Sequence, residues 1–155
     1  MIKYVPELTD IVLEEIPGKV TLAFEISNCQ GSCLGCHSPF LRKNVGEELT
    51  PADLDREIGL NFGANCVLFL GEGNDKAALL DLAHYLKERY PSLELALYSG
   101  REAVEVEIWD AFDYVKIGPY IAEFGPLNSP STNQRLYYHK EDITSIFWRK
   151  TNNQI

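Results

Sequence analysis

Cys66-Val67-Leu68-Phe69-Leu70-Gly71-Glu72-Gly73-Asn74-Asp75 is an apolar run that breaks at a glycine loop and opens into a helical pattern from about Asp75 to Arg89. The run is short and almost wholly apolar, as in an interior strand of a parallel sheet. Strand, glycine loop and helix in that order form half of a β/α unit. In this geometry backbone N–H groups can meet a carboxylate or phosphate, and glycine allows close approach. Neither the dinucleotide GxGxxG pattern nor the Walker pattern is present, so the loop alone names no ligand.

Working outward, the same alternation recurs. Val20-Thr21-Leu22-Ala23-Phe24-Glu25-Ile26 reads as a strand, preceded by a possible strand over Asp10–Ile16 and the turn signal Pro17-Gly18. Thr50 is an N-cap, with Pro51 at the first helical position and Asp53 three residues after the cap. The helix it starts runs through Leu54 and Ile58 and stops near Gly63. Beyond Pro91, Leu93–Tyr98 and Tyr114–Ile117 are strands, while Glu102–Phe112 fits helix or strand. Repeated returns from loops into apolar runs predict an α/β fold, a mostly parallel sheet with helices outside it.

The tail changes character. Gly125 to Asn133 is rich in turn residues, Arg135–Tyr138 and Ile143–Trp148 read as short strands, and Thr151–Ile155 as a frayed end. Tyr137, Tyr138, Phe147 and Trp148 are either sheet-core residues or contacts to a partner. No repeat or domain boundary interrupts residues 1–155, so one domain is expected, with 125–155 a possible partner-contacting tail.

The chain has 155 residues, 45% of them hydrophobic, enough for a core that needs no disulfides. Neither a signal-peptide pattern nor a membrane-spanning run is visible, which sets the expectation of a cytoplasmic protein with no membrane partner. A formal charge of −9 disfavours nonspecific nucleic-acid binding through the overall field.

Chemistry concentrates in Asn28-Cys29-Gln30-Gly31-Ser32-Cys33-Leu34-Gly35-Cys36-His37, directly after the Val20–Ile26 strand. Thiolates are soft ligands that select zinc, copper(I) or iron–sulfur centres. Cys29, Cys33 and Cys36, spaced C-x3-C-x2-C with glycines between them, can converge on one centre. Three thiolates without an evident fourth ligand suggest a 4Fe-4S cluster with one open iron. Zinc is the alternative if His37 or Cys66 completes a tetrahedron, and Cys33 with Cys36 also fits a redox pair.

This segment, together with Gly71-Glu72-Gly73, Tyr98-Ser99-Gly100, Val115-Lys116-Ile117-Gly118-Pro119-Tyr120 and Ser131-Thr132-Asn133-Gln134-Arg135, resembles the radical S-adenosylmethionine superfamily. Within it, the likeness is to the activating proteins of anaerobic ribonucleoside-triphosphate reductases. The resemblance implies an incomplete (partial) β/α barrel. Cys29, Cys33 and Cys36 would hold three irons of a 4Fe-4S cluster, and S-adenosyl-L-methionine would chelate the open one. It further implies an oxidoreductase that cleaves this cofactor reductively and uses the 5′-deoxyadenosyl radical to take hydrogen from a glycine of the large reductase subunit. An electron donor such as flavodoxin or ferredoxin would supply the electron.

Cofactor contacts under the resemblance are Gly71, Glu72, Gly73, Ser99 and Lys116. The family's loop is Gly-Gly-Glu or Gly-Gly-Asp, so Glu72 and Gly73 are exchanged here, and Glu72 is equally a solvent-facing loop acid. Ser99 equally caps the segment after it, and Lys116 is equally a sheet-edge charge. Two other functions stay open: activation of a different glycyl-radical enzyme, and a non-catalytic iron–sulfur or zinc interaction module.

Overall fold

A computed structural model describes residues 1–27 and 46–148. Its frame is a seven-stranded sheet. The central four strands, β3 (Thr21–Glu25), β5 (Cys66–Leu70), β6 (Glu94–Tyr98) and β7 (Tyr114–Ile117), run parallel. Antiparallel strands flank them: β2 (Asp10–Val12) beside β3, and β8 (Arg135–Tyr138) then β9 (Glu141–Asp142) beside β7. A separate pair joins β1 (Lys3–Tyr4) to β4 (Glu47–Glu48). The result is a mixed α/β fold whose sheet order begins at β2 and ends at β9.

Helices α1 (Pro51–Leu60), α2 (Lys76–Arg89) and α3 (Val106–Ala111) pack on one face. Strand parity decides which residues meet them, because successive side chains point to opposite faces. Leu22, Phe24, Val67, Phe69, Leu95, Leu97 and Val115 point toward Leu54, Leu79, Leu82, Ala83, Leu86 and Ile108, and all are buried. The opposite parity, Ala23, Cys66, Leu68, Ala96, Tyr114 and Leu136, builds a second cluster capped by Ile16, Leu127, Ile143 and Phe147. Burial on both faces is why the central strands read as continuous apolar runs.

Local signals set the helix starts. Thr50 and Asp53 form a reciprocal capping box, in which the Asp53 N–H donates to Thr50 Oγ1 at 3.2 Å and the Thr50 N–H donates to Asp53 Oδ2 at 2.9 Å. Asp75 caps α2 by accepting from the Ala78 N–H at 3.1 Å. The open helix-or-strand question over 102–112 resolves as α3, preceded by irregular backbone.

Two expected strands differ. The run Asp10–Ile16 stays extended only to Val12, after which the chain bends and Ile16 enters the second cluster. Residues 146–148 are helical rather than extended. Thr144 turns the chain there: its hydroxyl donates to Asp142 Oδ1 at 2.6 Å and accepts from the Leu136 N–H at 2.8 Å, so a side chain takes the position of a ladder partner. Among the described residues, no helix is long and apolar enough to cross a membrane.

Candidate metal centre

The sequence-derived contact residues gather at the carboxyl ends of the parallel strands. Gly71, Glu72 and Gly73 follow β5, Ser99 follows β6, and Lys116 lies one residue from the end of β7. Gly73 has φ +69, and a Cβ there would stand 3.0 Å from Ile2 Cδ1, so the position suits glycine. Glu72 is not solvent-facing: its side chain is 11% exposed and its carboxylate takes two hydrogen bonds from Arg101, at 2.9 and 2.6 Å. The Ser99 hydroxyl donates to the same carboxylate and accepts from the Arg101 N–H at 3.1 Å. Arg101 reaches on to Glu105 at 2.8 and 3.0 Å, closing a network that the sequence did not announce.

Lys116 is buried, and its Nζ donates to the Gly118 carbonyl at 3.1 Å and lies 5.4 Å from the centre of the Tyr98 ring. It is therefore no exposed sheet-edge charge. In the tail, Asn133 Nδ2 donates to the Pro119 carbonyl at 3.0 Å, and the Gln134 N–H donates to Thr132 Oγ1 at 3.0 Å. Tyr137 packs edge-on against Trp109, and Tyr138 tilts against Tyr114. Cys29, Cys33, Cys36, His37 and the end 151–155 lie outside the described residues.

The metal-capable group lies at the other edge of the sheet. Glu94 opens β6, Asp113 immediately precedes β7, and His139 follows β8, whose antiparallel course returns it to the start of β7. One ligand atom from each of the three lies within 4.8 Å of the other two. His139 Nε2 is 3.2 Å from Asp113 Oδ1. The other Asp113 oxygen accepts from the Leu95 N–H at 2.8 Å and from Lys87. Glu94 accepts from Lys19 at 2.6 Å and from the Tyr138 hydroxyl at 2.7 Å. Burial opposes the Glu94 charge, yet the Lys19 and Tyr138 hydrogen bonds prevail and hold its carboxyl below the ordinary value.

No family model, curated protein or solved structure matches the chain. The donor set then corrects the radical S-adenosylmethionine reading. An open 4Fe-4S cluster needs thiolates, whereas the metal-capable group among the described residues is two carboxylates and an imidazole, which are harder donors suited to zinc and similar divalent ions. The assignments that rested on the cluster fall with it. These are the resemblance to the reductase-activating proteins, the reductive cleavage of S-adenosyl-L-methionine, the glycine-radical chemistry and the oxidoreductase class.

Sequence reasoning missed Glu94, Asp113 and His139 because they sit at the ends of three different strands and share no local spacing. One signal was readable: Glu94 has the same strand parity as Ala96 and Tyr98, so a carboxylate stands in an otherwise apolar row. A charge at such a position needs a partner.

Proposed function

We propose that the chain is a non-catalytic metal-binding interaction module that takes zinc or a similar divalent ion through Glu94, Asp113 and His139. The observation that carries this reading is the convergence of two carboxylates and an imidazole from three elements on one small volume. Zinc accepts both donor types, and two negative charges balance a dication. Three protein ligands leave a fourth tetrahedral corner. The His139 side chain is 58% exposed, so a donor from a partner protein can reach that corner. A metal shared with a partner makes association depend on metal supply.

A second donor set rests on sequence. Cys29, Cys33 and Cys36 are thiolate ligands for the same class of ion. The chain leaves the described residues after Ser27, whose N–H donates to the Lys3 carbonyl at 3.0 Å, and re-enters at Gly46, next to the strand paired with β1. Both ends of the cysteine-bearing segment are thereby held beside β1. Gly71, Glu72, Gly73, Ser99 and Lys116 lie at the carboxyl ends of β5, β6 and β7, the end of the sheet from which this segment leaves β3.

The test is zinc content and zinc titration on reduced protein. Wild type takes up zinc, His139→Ala and Asp113→Asn lower the stoichiometry, and Cys29→Ser, Cys33→Ser or Cys36→Ser lowers it independently. Wild-type protein that stays zinc-free in metal-buffered solution, or carboxylate and histidine variants that bind like wild type, would remove the basis for the reading.

A further inference from the structure

Resting on that metal reading, the geometry points to a cation-exchange switch: Lys19 and Lys87 occupy the Glu94–Asp113–His139 site, and a divalent ion enters by displacing them. Each carboxylate already holds one ammonium. Lys19 Nζ is 2.6 Å from Glu94 Oε1, and Lys87 donates to Asp113 Oδ2. Two ammonium groups and two carboxylates sum to zero, so the group is electrically balanced as it stands. A dication arriving with both lysines in place would leave an excess of two positive charges in a partly buried volume, where like charges are poorly screened.

The ammoniums are better placed to leave than the carboxylates are to move. Lys87 lies in the last turn of α2, with a side chain 37% exposed, and Lys19 sits on the turn before β3. Both are long, flexible chains that can carry their charge into water. Asp113 is fixed by the Leu95 N–H, and Glu94 by the Tyr138 hydroxyl. Lys87 and Leu95 both bind Oδ2 of Asp113, so Oδ1 is left turned toward His139 Nε2 at 3.2 Å. Oδ1 of Asp113 and Nε2 of His139 are thus two donor atoms that neither lysine contacts. Once the metal is seated, two cations are released onto the surface beside His139, changing the charge that a partner meets.

Zinc affinity is to be measured by competition with a chromophoric chelator for wild type, Lys19→Met, Lys87→Met and the double variant, each carrying Cys29→Ser, Cys33→Ser and Cys36→Ser so that the thiolate set does not contribute. Methionine keeps the length of the stem and removes the charge. Tighter binding by about tenfold in each single variant and more in the double variant is expected, from the loss of a local like charge. On unmodified protein, acylation of Lys19 and Lys87, mapped by mass spectrometry, should quicken when zinc is added and return to its basal rate with chelator. Zinc binding by wild type with variant affinities within about twofold of it, or unchanged lysine reactivity, overturns the switch while leaving the metal site standing. Binding by the double variant alone overturns the switch as well, because in wild type zinc then fails to displace the lysines. Failure of every form to bind zinc at this site removes both the site and the switch.

Discussion

His139 Nε2 lies 3.2 Å from Asp113 Oδ1, and the His139 backbone N–H donates to the Asp113 carbonyl at 2.9 Å. One residue thus touches the other through both side chain and main chain, tying the end of β8 to the start of β7. His139 and Lys140, with φ of 46° and 70°, form the two-residue hairpin that joins β8 to β9 between the paired Tyr138 and Glu141. Such turns favour Asn or Gly at positions of positive φ.

His139→Asn separates the two roles. Asn tolerates the left-handed conformation, so unfolding free energy should stay within about 0.5 kcal/mol of wild type. Zinc affinity should fall at least about tenfold with the imidazole gone. Urea melts and chelator competition on the same preparation check both halves.

Gly46 has φ +86, and a Cβ built on it would stand 2.1 Å from the Tyr4 carbonyl oxygen, with no flexible side chain to yield. Gly46→Ala should therefore cost more than about 1 kcal/mol by pushing β4 away from β1. Equilibrium urea unfolding reads the loss, and a variant as stable as wild type would contradict the close approach.

Cys66 is completely buried, and burial pushes its thiol up to about 12. The thiolate is the reactive form. In folded protein at pH 8, Cys66 should be alkylated by iodoacetamide at least about 100-fold more slowly than in urea, since only opened molecules expose it. Peptide mapping distinguishes it from Cys29, Cys33 and Cys36.

Hydrogen bonds from Arg101 hold the Glu105 carboxyl at about 2, against an ordinary 4.5. A carboxyl whose folded pKa lies below its unfolded one stabilises the fold fully above the unfolded value and loses that contribution as pH falls through the folded one. Arg101→Met should be less stable than wild type at neutral pH, with the gap narrowing between about pH 4.5 and pH 2. Urea midpoints across that range test this, and a constant gap would rule it out.

Much of the scaffold was legible because its signals are local. Cys66–Leu70, Tyr114–Ile117 and Arg135–Tyr138 are short apolar or alternating runs, bounded on at least one side by residues that cannot continue them, and they are strands at those boundaries. Thr50 could be read as a cap because capping involves residues three apart. Ile143–Trp148 was misread as extended because the hydroxyl of Thr144 bonds across the chain to Leu136, an interaction that periodicity does not carry. For the same reason the partnership of Glu72 with Arg101 was invisible: its members lie on different loops brought together by the register of β5 and β6.

Sequence alone determined the α/β class, the order of the central strands and the starts of α1 and α2, since each depends on hydrophobic period or on a side chain a few residues from the backbone it caps. It also singled out Cys29, Cys33 and Cys36 as soft donors. Only the tertiary structure decided that Glu94, Asp113 and His139 meet and that Lys19 and Lys87 neutralise the two acids. Proximity across a sheet edge is set by strand order and register, which no stretch of contiguous residues encodes.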